Sequence, residues 1–160
     1  MSNLFKRVLL IISVFCIHGL LYANPSLEKK PKLYAIVIGI GEYPNADFSL
    51  KYAKNDATTI YQKLKAQVGD IYIEGNIKLL NQPEQTTHAF IQQAFEDVKP
   101  KIKSIDTFVV FIAGEADRIH EEYYLLTSKT QGFSAEQLKR TGLSATQLKK
   151  WIADIPVRNK

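Results

Sequence analysis

Between Leu33 and Ile40 the chain reads LYAIVIGI, an uncharged run rich in branched side chains. Strict alternation would mark a strand with one wet face. An unbroken apolar run marks a strand covered on both faces, as in a parallel sheet with helices above and below. A second run of this kind, Asp106 to Ala113 in DTFVVFIAGEAD, follows after two stretches of helical periodicity. It ends in Ala113-Gly114, a sound way to present the next side chain, Glu115, at the carboxyl edge of a sheet.

The elements between and after these strands are legible by spacing. The first run stops at Gly39 and Gly41, and a loop with Pro44 and Asn45 follows. Leu50, Ala53, Ala57, Ile60, Tyr61, Leu64 and Val68 then fall on one helical stripe, with Ser49 or Asn55 as its amino-terminal cap. Ile77 to Leu80 reads as a short strand. After a Gln-Pro turn, Thr86 or Thr87 caps a helix whose apolar face is Phe90, Ile91, Ala94, Phe95 and Val98, stopped by Lys99-Pro100. Glu122 to Thr127 is a shorter strand after a polar turn. Ser144 and Gln147 form a capping box for a last helix that buries Leu148, Trp151 and Ile152 and ends by Pro156. The order strand, helix, strand, helix, strand, hairpin, helix predicts an α/β domain with a mostly parallel sheet and right-handed crossovers. Gly39 and Gly41 do not make a dinucleotide fingerprint, because Pro44 falls where the third glycine belongs.

Residues 1–23 have the layout of a secretory signal: a basic start at Lys6 and Arg7, an apolar stretch from Val8 to Leu21, and Leu21-Tyr22-Ala23 as a small-residue cleavage site. The apolar part is short for a membrane span, and an uncleaved anchor is the alternative. Residues 24–32 read as a polar linker and 33–160 as a single domain. Loss of Lys6 and Arg7 lowers the formal charge from +5 to about +3. The remaining lysines are scattered, with no arginine cluster and no interleaved aromatics, so neither nucleic acid nor, after cleavage, a membrane is expected as a partner. The one cysteine, Cys16, lies in the segment expected to be removed, which leaves no disulfide and no thiol. His88 and His120 then remain without paired His or Cys spacing, so no metal site and no cofactor are expected.

Four segments, in order, carry a family resemblance. YAIVIGIGEY (Tyr34 to Tyr43) resembles the first strand and loop of the caspase-like cysteine peptidases, in the bacterial branch related to metacaspases. LKYAKNDATTIYQKL (Leu50 to Leu64) is similar to that branch's first helix, with its Tyr-Ala-x-Asn-Asp-Ala signature. DTFVVFIAGEAD followed by EYYLLT resembles the strand that ends in Gly-His-Gly and the hairpin after it. LSATQLKKWIADIP is similar to the helix that precedes the strand bearing the nucleophilic cysteine. The resemblance implies a caspase-like three-layer sandwich, a mostly parallel sheet flanked by helices, with residues 33–160 forming a partial domain incomplete at its C-terminal side.

The resemblance also says what each position should do. Acyl transfer to a cysteine needs a thiolate, an imidazole to move the proton, and backbone N–H groups to hold the oxyanion. The family's histidine belongs where Glu115 stands, with Gly114 and Ala116 on the oxyanion side. A carboxylate has no N–H to give a leaving nitrogen, and an anion beside a cysteine raises the thiol pKa. His120, five residues on, reads as a solvated turn residue rather than a substitute. Asp56 is implied as part of an acidic pocket for arginine or lysine, or else it serves the first turn of its helix through the macrodipole. The family's sheet continues past the Asp106 strand with the cysteine strand. A chain ending at Lys160 is therefore expected to leave the edge of Val109, Val110, Phe111 and Ile112 open to a protein strand or basic peptide, and prone to self-association. The expected function is a cysteine-endopeptidase domain inactive in this chain. The alternative is an exported, periplasmic or secreted pseudopeptidase acting as a regulatory binding module. A live enzyme completed by a second polypeptide would still carry Glu115 in the histidine's place.

Overall fold

β1 (Lys32–Gly39) is buried from Leu33 onward, as its unbroken apolar run requires. In the computed structural model, which describes residues 30–158, β1 is the centre of a parallel sheet in the order β2-β1-β3, with β2 at Ile73–Leu80 and β3 at Thr107–Ala113. α1 (Ala53–Lys65) links β1 to β2, and α2 (His88–Val98) carries the chain back across β1 to β3. The two crossovers run in opposite directions along the sheet, so crossovers of one hand place their helices on opposite faces. Ala35 and Val37 meet Ala57 of α1, while Tyr34, Ile36 and Ile38 point into a larger core with Ile91, Ala94, Phe95 and Val98 of α2. β3 splits in the same way, Val109 and Phe111 to the α1 side and Phe108, Val110 and Ile112 to the other.

Past Gly114 the expected hairpin builds a separate antiparallel sheet. It contains β4 (Ala116–Ile119), β5 (Glu122–Leu125) and β6 (Leu143–Ser144), in that order. α3 (Ala135–Thr141) precedes β6, and α4 (Ala145–Ala153) follows it directly. Leu126, Leu138 and Leu143 from this region are buried in the larger core. The mixed α/β sandwich, with a parallel sheet between helical layers, is the expected fold class.

Several local expectations are corrected. Neither Ser49 nor Asn55 caps α1, which follows Tyr52 with no side-chain capping bond; Ser49 closes the 3-10 turn Ala46–Phe48, capped by Asn45. Leu50 and Val68 lie outside the helix, and Leu50 packs on the larger core. β2 starts at Ile73 rather than Ile77, and Gly75 lies within it. This glycine sits in the strand against Leu33, where a Cβ would collide with the Leu33 carbonyl oxygen, and the β1–β2 register shifts there. Lys32 opens β1 instead of ending the linker. Asp106 precedes β3 and is buried, its carboxylate accepting the N–H of Lys32 at 3.0 Å and of Lys103 at 2.8 Å. Leu148, Trp151 and Ile152 of α4 are half-buried rather than buried.

The remaining caps follow the sequence. Thr87 caps α2 by accepting the Phe90 N–H at 3.2 Å, and Ser144 caps α4 by accepting the Gln147 N–H at 3.1 Å. α3 was not expected, although Ser134 and Gln137 repeat the spacing of Ser144 and Gln147; Ser134 accepts the Gln137 N–H at 3.3 Å. The signal segment lies outside the described residues.

Candidate active site

Ligand sites in open α/β sheets form at the carboxyl ends of strands where the connections diverge to opposite faces. Here that point is the end of β1 and β3. The two strands run in register to Gly39 opposite Ala113, and the Ile40 N–H donates to the Ala113 carbonyl at 2.8 Å. Gly39 permits the approach of α1: a Cβ there would lie 2.6 Å from the Ala57 Cβ and 2.7 Å from the Ala53 carbonyl oxygen. Gly114 lets the chain turn out of β3 beside Ile40 and Leu125, each 3.3 Å from where its Cβ would sit.

Glu115 follows at the tip, half-buried, between the two sheets. Both of its backbone groups are engaged. Its N–H donates to the Tyr43 hydroxyl at 2.9 Å, and its carbonyl accepts the Leu126 N–H at 2.9 Å. The Tyr43 hydroxyl in turn donates to the Ile40 carbonyl at 3.2 Å, so one buried phenol ties the loop after β1 to the loop after β3. Burial, with the nearby Glu115 carboxylate adding to it, pushes that phenol up to about 12, although its hydrogen bond with the Glu115 backbone acts the other way. In the sequence Tyr43 stands out only as the last residue of the YAIVIGIGEY motif. The missed signal was an aromatic with a polar tip in a loop between apolar strands, which needs a partner when buried.

The other expected residues are spread out. Ala116 is exposed and opens β4, paired with Leu125. His120 occupies the two-residue turn between β4 and β5 with φ of 53°, in the left-handed region such turns demand. Five residues of extended chain set it about 16 Å from Glu115. His88 opens α2 and packs its ring 5.8 Å from that of Trp151. Cys16 lies outside the described residues. Asp56 is exposed in the first turn of α1, where with Thr59, Ile60 and Phe111 it lines a shallow depression of about 360 Å³ between α1 and β3. Among the described residues β3 pairs only with β1, so Val109 to Ile112 form a sheet edge beside that depression.

The arrangement therefore brings Glu115 and Tyr43 together at the strand tips and sets Asp56 beside the edge of β3. It does not bring either described histidine to the tip. What it offers chemically is an acceptor carboxylate on a fixed backbone and an open strand edge with one acid near it.

The peptidase C14 caspase domain family model matches residues 32–146. The match starts at the first residue of β1, takes in both crossovers, the β3 tip and the antiparallel sheet, and ends in the first turn of α4. No curated protein and no solved structure matches the chain. With most of the sequence covered and the parallel sheet built as that family requires, the chain belongs to the caspase-domain family of peptidases.

Proposed function

We propose that this domain, related to the metacaspase branch and exported by its amino-terminal segment, binds extended peptides with a basic side chain and does not cleave them. The observation that carries this reading is Glu115. It stands where the resemblance puts the imidazole of the Gly-His-Gly motif, and an ionised carboxylate there holds no proton for a leaving amine and disfavours a neighbouring thiolate. Supplying a cysteine would not change that. The free edge of β3 offers main-chain hydrogen bonds to an added strand. Phe111 and Asp56 beside it offer an apolar contact and a charge for an arginine or lysine on that strand.

The test uses the full chain with fluorogenic peptides carrying arginine or lysine before the scissile bond. No turnover above buffer is expected, and turnover by the unmodified chain overturns the inactive reading. The same peptides, uncut, should bind in fluorescence anisotropy, and Asp56→Asn should weaken them about tenfold, the size of one charge-assisted hydrogen bond. Unchanged affinity in Asp56→Asn would remove Asp56 from the site.

A further inference from the structure

At the amino ends of the strands, opposite the Glu115 tip, Lys30, Lys32, Lys101 and Lys103 line one depression of about 340 Å³ with Ile73, Ile105 and Asp106. Four lysines line this depression with one carboxylate, Asp106, which is already used, and the Asp97 carboxylate also acts on Lys101. Asp106 is 3% exposed and accepts the backbone N–H of Lys32 and of Lys103. The same network fixes the lysine backbones in place. The Tyr34 hydroxyl donates to the Lys101 carbonyl at 3.0 Å, and Lys30 reaches across to donate its Nζ to the Asp70 carbonyl at 2.6 Å. The ion pairs found among the described residues use Lys54, Lys65, Lys78 and Lys99, none of them from this group.

The floor and rim of this patch are apolar and wet. Ile73 is 42% exposed, Ile105 54%, and Ile71 beside them 52%. Isoleucines set among lysines that make no close ion pair suit a surface that is anionic outside and hydrocarbon beneath. The polar linker from residue 24 enters the domain here, at Lys30 to Lys32, so until cleavage the apolar stretch Val8 to Leu21 is joined to this same face by eight residues, about 30 Å when extended.

We propose that this lysine and isoleucine face docks on an anionic phospholipid surface. The lysines sit at headgroup level, Ile71, Ile73 and Ile105 reach the acyl boundary, and the Glu115 tip with the β3 carboxyl end points away from the membrane. This departs from the expectation that the domain, once its amino-terminal segment is cleaved, has no membrane contact.

Vesicle co-sedimentation of the full chain tests it, comparing pure phosphatidylcholine with about three parts phosphatidylcholine to one of phosphatidylglycerol. Each lysine near such a surface is worth about fivefold in partitioning, so Lys101→Gln with Lys103→Gln should lower binding to the anionic vesicles about 25-fold. Lys139→Gln with Arg140→Gln, an equal charge loss on α3, should change it less than about twofold. Lys6, Arg7 and the apolar segment are present in both double variants and cancel between them. Thermal melts check that these exposed substitutions leave folding intact. Equal losses in the two double variants, or equal binding of the unmodified chain to both vesicle types, overturns the proposal. Release from vesicles by inorganic phosphate at constant ionic strength would make the depression a small-anion site and overturns it too.

Discussion

β1 and β3 are written in nearly the same apolar alphabet, yet they live differently. β1 is buried along its length between two neighbours and two helical layers; β3, with the same two layers, has one neighbour among the described residues and is half-buried at most positions. Hydrophobicity along a strand reports how many faces are covered. It says nothing of how many edges are paired, because edge contacts are made by backbone groups that every residue carries. The less protected strand is also the one that carries Glu115 at its tip and lies beside Asp56.

Ile38 and Ile112 sit opposite each other in register and belong to the same core, so they measure that difference with the chemistry held constant. Ile38→Ala, at a position with no exposure, should cost about 3–4 kcal/mol in urea unfolding, and Ile112→Ala about 1–2 kcal/mol. Equal costs would mean that something covers the far edge of β3 in solution, a second copy of the chain included.

Gly39→Ala probes the protected strand from its helical side. The added methyl meets the Ala57 Cβ and the α1 backbone below 3.0 Å, where no flexible side chain can give way, and should cost about 2–3 kcal/mol. A neutral melt would show that α1 can shift away from β1, and that this face is softer than its packing implies.

The smallest of the three effects falls where the two strands are tied together. Tyr43→Phe removes the acceptor of the Glu115 N–H and the donor to the Ile40 carbonyl, for about 1–2 kcal/mol at neutral pH. The phenol titrates near 10 when unfolded and near 12 when folded. Its protonated form is therefore favoured by folding: the contribution is complete below pH 10 and is lost as pH rises through 12. The stability gap between wild type and Tyr43→Phe should stay constant up to about pH 10 and close above it. A gap that does not depend on pH would place the hydroxyl in water rather than between the strands.

Much of the fold was legible because its signals are local. Two apolar runs, the stripe of Ala57, Ile60, Tyr61 and Leu64, and the caps at Thr87 and Ser144 all act within a few residues of themselves. Misreadings arose where a distant partner decides. The strand expected at Ile77 begins four residues earlier, because the Leu33 backbone lies against Gly75. Ser49 looks like a helix cap, but the chain needs a 3-10 turn there to reach α1. The site was half legible: Glu115 and Asp56 stood out against a motif, while Tyr43 did not, since its partner is 72 residues away.

Apolar runs and periodicity by themselves determined an α/β sandwich, and the order of the motifs its resemblance to the caspase-domain family. These are statements about one segment at a time, and burial on one or both faces is written into each segment's composition. Only the tertiary structure decided that Tyr43 holds the backbone of Glu115, that His120 is spent on a left-handed turn, and that lysines at 30, 32, 101 and 103 share one surface. Those facts depend on which segments meet, and Asp106 and Tyr34 bring the lysines together through hydrogen bonds to backbone groups that no side-chain pattern reveals.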